Sequence, residues 1–165
     1  MIVAIDFGIT NTDVAVSNKS QYKFFSMPSK NANESFIDEI ISLIDIDITE
    51  ISQIVVTGGK SNELNESFKG VNLTKISETD AIGYGTKEIY KIENEPFITL
   101  SCGTGTACIH HQDGQFSYIG GIAVGGGTIS GLSKAILDSS SLEEITDLAL
   151  KGNRKNIDLL IGDVV

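Results

Sequence analysis

The sequence predicts an α/β fold: a mixed five-stranded β-sheet with helices on it, followed by the start of a second, similar unit. Strand-like and helix-like segments alternate in the order βββαβαβα over residues 1–95. From residue 96 a strand, a glycine-rich turn and another strand begin the pattern again. Only two prolines and no low-complexity tract occur in the 165 residues, so no flexible linker is indicated. We therefore expect a first subdomain at 1–95 and the N-terminal part of a second at 96–165.

The composition restricts the classes of partner. The chain is 41% hydrophobic and 21% charged, which is typical of a soluble globular protein. Its formal net charge of −10 argues against a surface that binds nucleic acid or anionic lipid without specificity. The sequence has no apolar run of membrane-spanning length and no basic, signal-like segment at its start. We expect a cytoplasmic protein with no nucleic-acid or membrane partner.

The first three predicted strands form a β-meander that leads into a helix. Apolar residues dominate Ile2–Asp6, Asp13–Ser17 and Tyr22–Phe25, and turn-forming residues occupy 18–21. Apolar residues then recur at helical spacing between Phe36 and Ile44. The side chain of Asn33 can cap this helix at its N-terminus.

Two further strands and two helices complete the first predicted unit. A buried strand and a short helix are predicted first, then a strand that leads into a longer helix. These four elements are Gln53–Thr57, the turn of helix from Ser61, Val71–Ile76 and Glu78–Tyr90.

The turn after the first strand has the residue types of a phosphate-binding loop. Asp6 ends the strand, Gly8 permits a tight turn, and Thr10, Asn11 and Thr12 offer hydroxyl, amide and backbone N–H groups to an anion. A carboxylate beside such donors indicates a phosphate that carries a metal ion.

A second turn repeats this chemistry. The apolar strand that begins at Phe97 runs into a turn of alternating glycine and threonine, and a further apolar strand follows. The turn consists of Gly103, Thr104, Gly105 and Thr106. Glycine and threonine in one hairpin usually serve only the turn. Two such hairpins in one chain instead indicate an internal duplication whose turns face one polyphosphate.

A glycine cluster at Gly120–Gly131 leads into the helix-like segment Leu132–Leu137. Gly125, Gly126 and Gly127 therefore place unoccupied backbone N–H donors where an anion can bind. The alternative is that these glycines only permit close packing of a helix against a strand.

The cysteines and histidines of the second unit receive no role in chemistry. Cys102 and Cys108 match no zinc-site spacing and are interpreted as free core residues. His110 and His111 are adjacent in a predicted strand, so their side chains point to opposite faces and cannot hold one metal ion together.

These motifs resemble those of known ATP-binding proteins. The segments Asp6–Thr12 and Ser101–Thr106 and the glycine cluster resemble the phosphate-binding elements of the superfamily that contains actin, hexokinases and Hsp70 chaperones. The resemblance implies a duplicated ribonuclease-H-like (actin-like ATPase) fold with ATP held between two turns. The glycine cluster and the run Ile145–Leu159 resemble the type II, eukaryotic-like pantothenate kinases, and this likeness extends over Ile2–Leu160.

The resemblance to this family also implies an activity and a set of roles. The enzymes use ATP and Mg²⁺ to phosphorylate pantothenate in the first step of coenzyme A biosynthesis. The segment Ser77–Gly83 is similar to the family's segment that carries the catalytic base, which corresponds to Glu78. Asp6 is implied to hold the metal ion through water. From the residues alone, Glu78 and Asp80 can equally be a helix cap and a first-turn acid.

Two departures leave the acceptor open. The family has an arginine shortly before the two glycines of the cluster, whereas this chain has Tyr118 there, and a phenol does not replace a guanidinium on a carboxylate. The segment Thr10–Asp13 looks more like the start of the hydantoinase and oxoprolinase group. Three hypotheses follow: a pantothenate kinase or its N-terminal portion, another small-molecule kinase or ATP-dependent hydrolase, or a non-catalytic nucleotide-binding module.

The length of the chain adds one more expectation. The family's kinases have a complete second domain, of which this chain holds only the beginning. The isolated chain should therefore leave open sheet edges and an apolar face, and we expect it to form a homodimer.

Overall fold

The first sheet is mixed, as the sequence predicts, but it has six strands rather than the predicted five. The computed structural model describes residues 1–18, 21–59, 61–156 and 160–163. The strands are β1 (Ile2–Phe7), β2 (Asn11–Asn18), β3 (Gln21–Pro28), β4 (Gln53–Thr57), β5 (Ser67–Phe68) and β6 (Val71–Lys75). Their spatial order is β3-β2-β1-β4-β6-β5. The neighbours β2 and β4 pair with β1 antiparallel and parallel respectively.

All five strands predicted for this sheet are present, and β5 is the additional one. It pairs antiparallel with β6 at the edge of the sheet. Two residues are too few to produce an alternating apolar pattern, so the sequence does not reveal it. Residues 19 and 20 of the predicted turn, and 157–159 at the end of the family-like run, lie outside the described residues.

The helix α1 (Glu34–Leu43) covers one face of the first sheet and completes its core. Val3 and Ile5 of β1 point to this face and pack in one cluster with Ile37 and Ile40 of the helix. The Asn33 side chain accepts a hydrogen bond from the Phe36 N–H at 2.9 Å, which confirms the predicted cap.

The opposite face of the first sheet is open, as expected for the isolated chain. A cavity of about 490 Å³ lies on it, lined mainly by apolar side chains that include Ala4, Ala15 and Val55. Phe24, on the same face, is 76% exposed. The homodimer stays a prediction. Within the described ranges, no helix is long and apolar enough to cross a membrane.

A second sheet of three antiparallel strands starts the second domain. It consists of β7 (Phe97–Cys102), β8 (Thr106–Gln112) and β9 (Gln115–Ile122), in that order. The turn between β8 and β9 has positive φ at Asp113 (51°) and Gly114 (77°), as a tight hairpin requires.

Three more α-helices and four short 3₁₀ turns complete the described elements. The helices are α2 (Glu78–Tyr90), α3 (Gly126–Leu137) and α4 (Leu142–Lys151). The 3₁₀ turns are Ile48–Glu50, Ser61–Glu63, Arg154–Asn156 and Ile161–Asp163. The bounds of α2 are those predicted, and this helix packs against all three strands of the second sheet.

The helix α3 begins six residues before the predicted segment Leu132–Leu137. Gly126 and Gly127 lie in its first turn rather than in a loop before it. Glycine disfavours helix interiors, so the sequence places the start too late. Hydrogen bonds to the neighbouring turn, described below, hold this glycine-rich start.

We expect Asn33→Ala to lower the free energy of unfolding by about 0.5–2 kcal/mol, because the first turn of α1 loses its cap. Asn33→Asp should retain most of the stability, since a carboxylate also accepts the Phe36 N–H bond. Urea denaturation followed by circular dichroism measures both. An unchanged unfolding free energy for Asn33→Ala would contradict the assigned cap.

Candidate functional site

A cleft of about 1060 Å³ lies between the two sheets. The turn between β1 and β2 forms one wall, and the turn between β7 and β8 forms the other. The first residues of α2 and α3 close its ends. Predicted site residues that line it are Asp6, Gly8, Thr10, Asn11, Glu78, Gly103, Thr104, Gly105, Thr106, Gly126 and Gly127.

The two turns and the start of α3 meet at one point. The Thr10 and Thr104 hydroxyl oxygens lie 2.8 Å apart and share a hydrogen bond across the cleft. A Cβ added at Gly127 would lie 3.0 Å from the Thr10 hydroxyl oxygen and 2.9 Å from the Thr104 Cα. The three phosphate-binding motifs predicted separately are therefore parts of one site, and only glycine fits between the two turns at this position.

Thr12 does not belong to this site, which corrects the sequence prediction. Because β2 begins at Asn11, Thr12 points to the core face while Asn11 and Asp13 point to the open face. Its side chain is 0% exposed, and its hydroxyl oxygen lies 3.0 Å from that of Ser29. The Ser29 hydroxyl in turn donates to the Gly8 carbonyl. Thr12 supports the first turn from the core side of the sheet, through Ser29, and is not among the residues that line the cleft.

The second turn is held by internal hydrogen bonds. The Gly103 N–H donates to the Gly105 carbonyl at 2.8 Å. Thr106 lines the cleft, yet its hydroxyl donates to the Val124 carbonyl at 2.8 Å. Thr104 is therefore the threonine of this turn whose hydroxyl faces the first turn.

The N-terminus of α3 is less open to an anion than the sequence predicts. The Gly127 and Thr128 N–H groups donate to the Gly103 and Thr104 carbonyls at 3.1 and 3.2 Å. Gly125 is the N-cap residue of the helix and is not among the residues that line the cleft. It packs against the second turn, since a Cβ added there would lie 2.4 Å from the Gly105 carbonyl oxygen. One of the three glycine donors expected to be unoccupied, that of Gly127, thus joins the helix to the second turn together with that of Thr128. Gly126 remains at the cleft.

Carboxylates gather at the floor of the cleft. Asp6 pairs in register with Asp13 of β2 and with Thr57 of β4, so these three residues form a row across the sheet. The surrounding protein raises the pKa of the Asp6 carboxyl by desolvation, although the side chain stays open to the cleft. The negative charges of Glu78 and then Asp13 raise this pKa further.

Asp13 and Thr57 are site residues that the sequence reasoning missed. Both line the cleft, and the Thr57 hydroxyl oxygen is buried without a hydrogen-bond partner among the residues that the structure describes. The strand register contains the missing signal. Once the turn between β1 and β2 is placed, antiparallel pairing sets Asp13 opposite Asp6 on the same face.

Glu78 lies at the first position of α2, beside the cleft. The alternative that it caps this helix is wrong, because the cap is Ser77, whose hydroxyl oxygen accepts the Asp80 N–H at 3.1 Å. The Asp80 carboxylate accepts a hydrogen bond from the Ser77 hydroxyl at 2.7 Å. Asp80 is thus engaged at the cap, whereas Glu78 is exposed toward the cleft.

The histidines and cysteines differ in their surroundings. His111 is 1% exposed, and its Nδ1 lies 3.2 Å from the Glu95 carbonyl oxygen, away from the cleft. Both cysteines are free, but Cys102 is exposed at the cleft rather than in the core as predicted. It is the last residue of β7, where the strand leads into the second turn.

Comparisons with known proteins agree with this architecture. A family model described as Fumble matches residues 84–165. The type II pantothenate kinase of Bacillus anthracis is 33% identical over 98% of this chain and 58% of its own length. The corresponding protein of Staphylococcus aureus (strain USA300) is 29% identical over 99% of this chain and 60% of its own. The chain therefore spans less than two thirds of the curated relatives it matches.

Solved structures show the same fold at low sequence identity. The activator of the 2-hydroxyisocaproyl-CoA dehydratase from Clostridium difficile superposes with a TM-score of 0.62 at 16% identity, over 92% of this chain and 57% of that one. A ROK family protein from Streptococcus pneumoniae superposes with a TM-score of 0.54 at 14% identity, over 92% and 68%. These likenesses confirm the predicted actin-like ATPase fold.

We expect Asp6→Asn to raise the Tm of the ligand-free protein at pH 7. A raised pKa means that the folded state binds the Asp6 proton more tightly than the unfolded state does. The resulting stability is present below the ordinary pKa of 3.8 and is lost as the pH rises through the raised value, so ionised Asp6 costs stability at pH 7. Calorimetry at pH 7 and pH 3.5 measures the difference.

The gain from Asp6→Asn should shrink at pH 3.5, because this pH lies below both the ordinary and the raised pKa of Asp6. Asp13→Asn is the matched control, since it removes the neighbouring charge and leaves the Asp6 carboxyl in place. A lower Tm for Asp6→Asn at pH 7 would show that the charge on Asp6 is compensated in the ligand-free fold.

Proposed function

Because the chain belongs to the type II pantothenate kinase family, we propose that it is the N-terminal portion of an ATP-dependent kinase that phosphorylates pantothenate, the first step of coenzyme A biosynthesis. The observation that carries this proposal is the meeting of two hydroxyl-bearing turns and a helix start beside a row of carboxylates. Phosphoryl transfer needs these parts together, because its catalysis depends on positioning and on charge stabilisation.

In this proposal the phosphates of ATP lie between the two turns. The Thr10 and Thr104 hydroxyls bond each other in the ligand-free protein and exchange that bond for phosphate oxygens. Gly126, at the start of α3, adds the positive end of the helix. With a formal net charge of −10, the chain depends on such local donors to hold a polyanion.

The floor of the cleft fits a hard divalent cation such as Mg²⁺. Asp6 and Asp13 supply carboxylate oxygens, and the unpartnered Thr57 hydroxyl supplies a further oxygen in the same row. The described residues hold no group of three or more metal-binding side chains, so one or two carboxylates, waters and phosphate would complete the shell. Bound there, Mg²⁺ offsets the negative charge of the phosphates.

Glu78 is proposed as the general base. It lies at the cleft, near enough to Asp6 to raise the pKa of that carboxyl, and the Ser77 cap fixes the helix end that carries it. Its carboxylate accepts the proton of the acceptor hydroxyl as that oxygen bonds to the γ-phosphorus and ADP leaves.

A second candidate is a kinase of the same fold with another small acceptor, or an ATP-dependent hydrolase. Tyr118 favours it, because this residue lies where the family resemblance implies an arginine. Tyr118 is 60% exposed, and a Cβ added at Gly121 would lie 2.6 Å from its hydroxyl oxygen. The phenol therefore lies back over β9, and it carries no positive charge for the pantothenate carboxylate.

An assay on the whole protein that contains this chain separates the candidates. Coupled ADP release is measured with pantothenate, with other small hydroxyl compounds and with no acceptor. Turnover with pantothenate supports the proposed kinase, and turnover only under the other conditions supports the second candidate. ATP binding without turnover would leave a non-catalytic nucleotide-binding module.

We expect Glu78→Gln to lower kcat by about 10² or more, the effect of removing a general base, with little change in the affinity for MgATP. Asp80→Asn is the matched control on the same helix turn, since the amide oxygen still accepts the Ser77 hydroxyl bond. Steady-state kinetics and isothermal titration calorimetry measure the two effects. Full kcat in Glu78→Gln would remove Glu78 from the chemistry.

A further inference from the structure

The helix α2 links the candidate base to the second sheet. Its first residue, Glu78, lies at the cleft, while its middle packs on β7, β8 and β9. The Thr99 hydroxyl of β7 donates to the Thr86 hydroxyl of α2 at 3.1 Å. The ring of Tyr84 meets that of Phe116 edge-on, with 4.8 Å between ring centroids. The position of Glu78 relative to the second turn therefore depends on how α2 lies on this sheet.

The helix α2 approaches the second sheet closely at Gly83. This glycine is buried, and a Cβ built on it would lie 2.2 Å from Cδ1 and 2.4 Å from Cγ of Phe116. Gly85, on the same helix, has no atom within 4 Å of an added Cβ. Glycine within a helix costs about 0.5–1 kcal/mol relative to alanine. Only at Gly83 does a close contact require it.

The Phe116 ring has little room to move away from the helix. It packs 4.9 Å from the His111 ring and 6.3 Å from the Phe97 ring, between centroids, and Tyr84 covers its edge. His111 is itself buried and stacks on Phe97 at 4.7 Å. Tight packing of this kind transmits a displacement rather than absorbing it.

We propose that Gly83 and Phe116 are positioning residues, whose direct contact sets the distance between Glu78 and the second phosphate-binding turn. The inference rests on the proposed kinase function. Glu78 precedes Gly83 by five residues, about 7.5 Å along a helix axis, so a displaced helix carries Glu78 with it. Misplacement of a reacting group by about 1 Å can cost 10²-fold in rate.

The kinetic test uses the whole protein and compares an added methyl group at two glycines of α2. Gly83→Ala is expected to lower kcat at least tenfold while the KM for ATP stays within about threefold, because the base moves and the nucleotide site does not. Gly85→Ala, the matched control, should keep wild-type kcat and gain stability from better helix propensity.

A smaller side chain on the sheet should reverse the effect. Phe116→Leu makes room for the added methyl group, so Gly83→Ala with Phe116→Leu should recover kcat to that of Phe116→Leu alone. Circular dichroism and Tm confirm that each variant is folded. Unchanged kcat in Gly83→Ala, or an absence of recovery in the folded double variant, would overturn the inference.

A second readout is independent of activity. A crystal structure of Gly83→Ala should show the Glu78 carboxylate displaced relative to the second turn, and the structure of the double variant should show it restored. If the wild-type protein has no kinase turnover, the proposed function fails. The two structures then decide the positioning role, and an unmoved Glu78 in Gly83→Ala overturns it.

Discussion

The hydrogen bond between the Thr10 and Thr104 hydroxyls is the contact on which the account of the site depends. It joins turns that belong to different sheets and lie 94 residues apart in the chain. Gly127 fits between these turns, and the Gly127 and Thr128 N–H groups tie α3 to the second turn. The cleft thus has opposed walls that already touch, and the hydroxyl groups that join them can equally bond phosphate.

The floor of the cleft carries several negative charges close together. Asp6, Asp13 and Glu78 bring like charges together, and burial, followed by the charges of Glu78 and Asp13, raises the pKa of the Asp6 carboxyl. Such a site costs stability when empty and gains most from a cation. The same charges would repel an unaccompanied polyphosphate, so metal and nucleotide are expected to bind together. The contact between α2 and the second sheet then sets the position of Glu78 relative to the metal ion and the nucleotide.

Much of the fold was predictable because its signals are local. The cap at Asn33, the bounds of α2 and the two glycine-threonine turns follow from short patterns that the structure confirms. The sequence reasoning failed where a partner distant in the chain decides the outcome. Thr12 is buried because β2 begins at Asn11, two residues before the predicted start, and α3 starts early because the second turn accepts its N–H bonds. Asp13 enters the site through strand register, which no local pattern shows.

A structure of the whole protein with Mg²⁺ and a non-hydrolysable ATP analogue would show whether the two turns hold the nucleotide. We expect phosphates between the two turns, the Thr10–Thr104 hydrogen bond replaced by bonds to phosphate oxygens, and the metal ion beside Asp6. An analogue bound elsewhere, with the two threonines still bonded to each other, would contradict it.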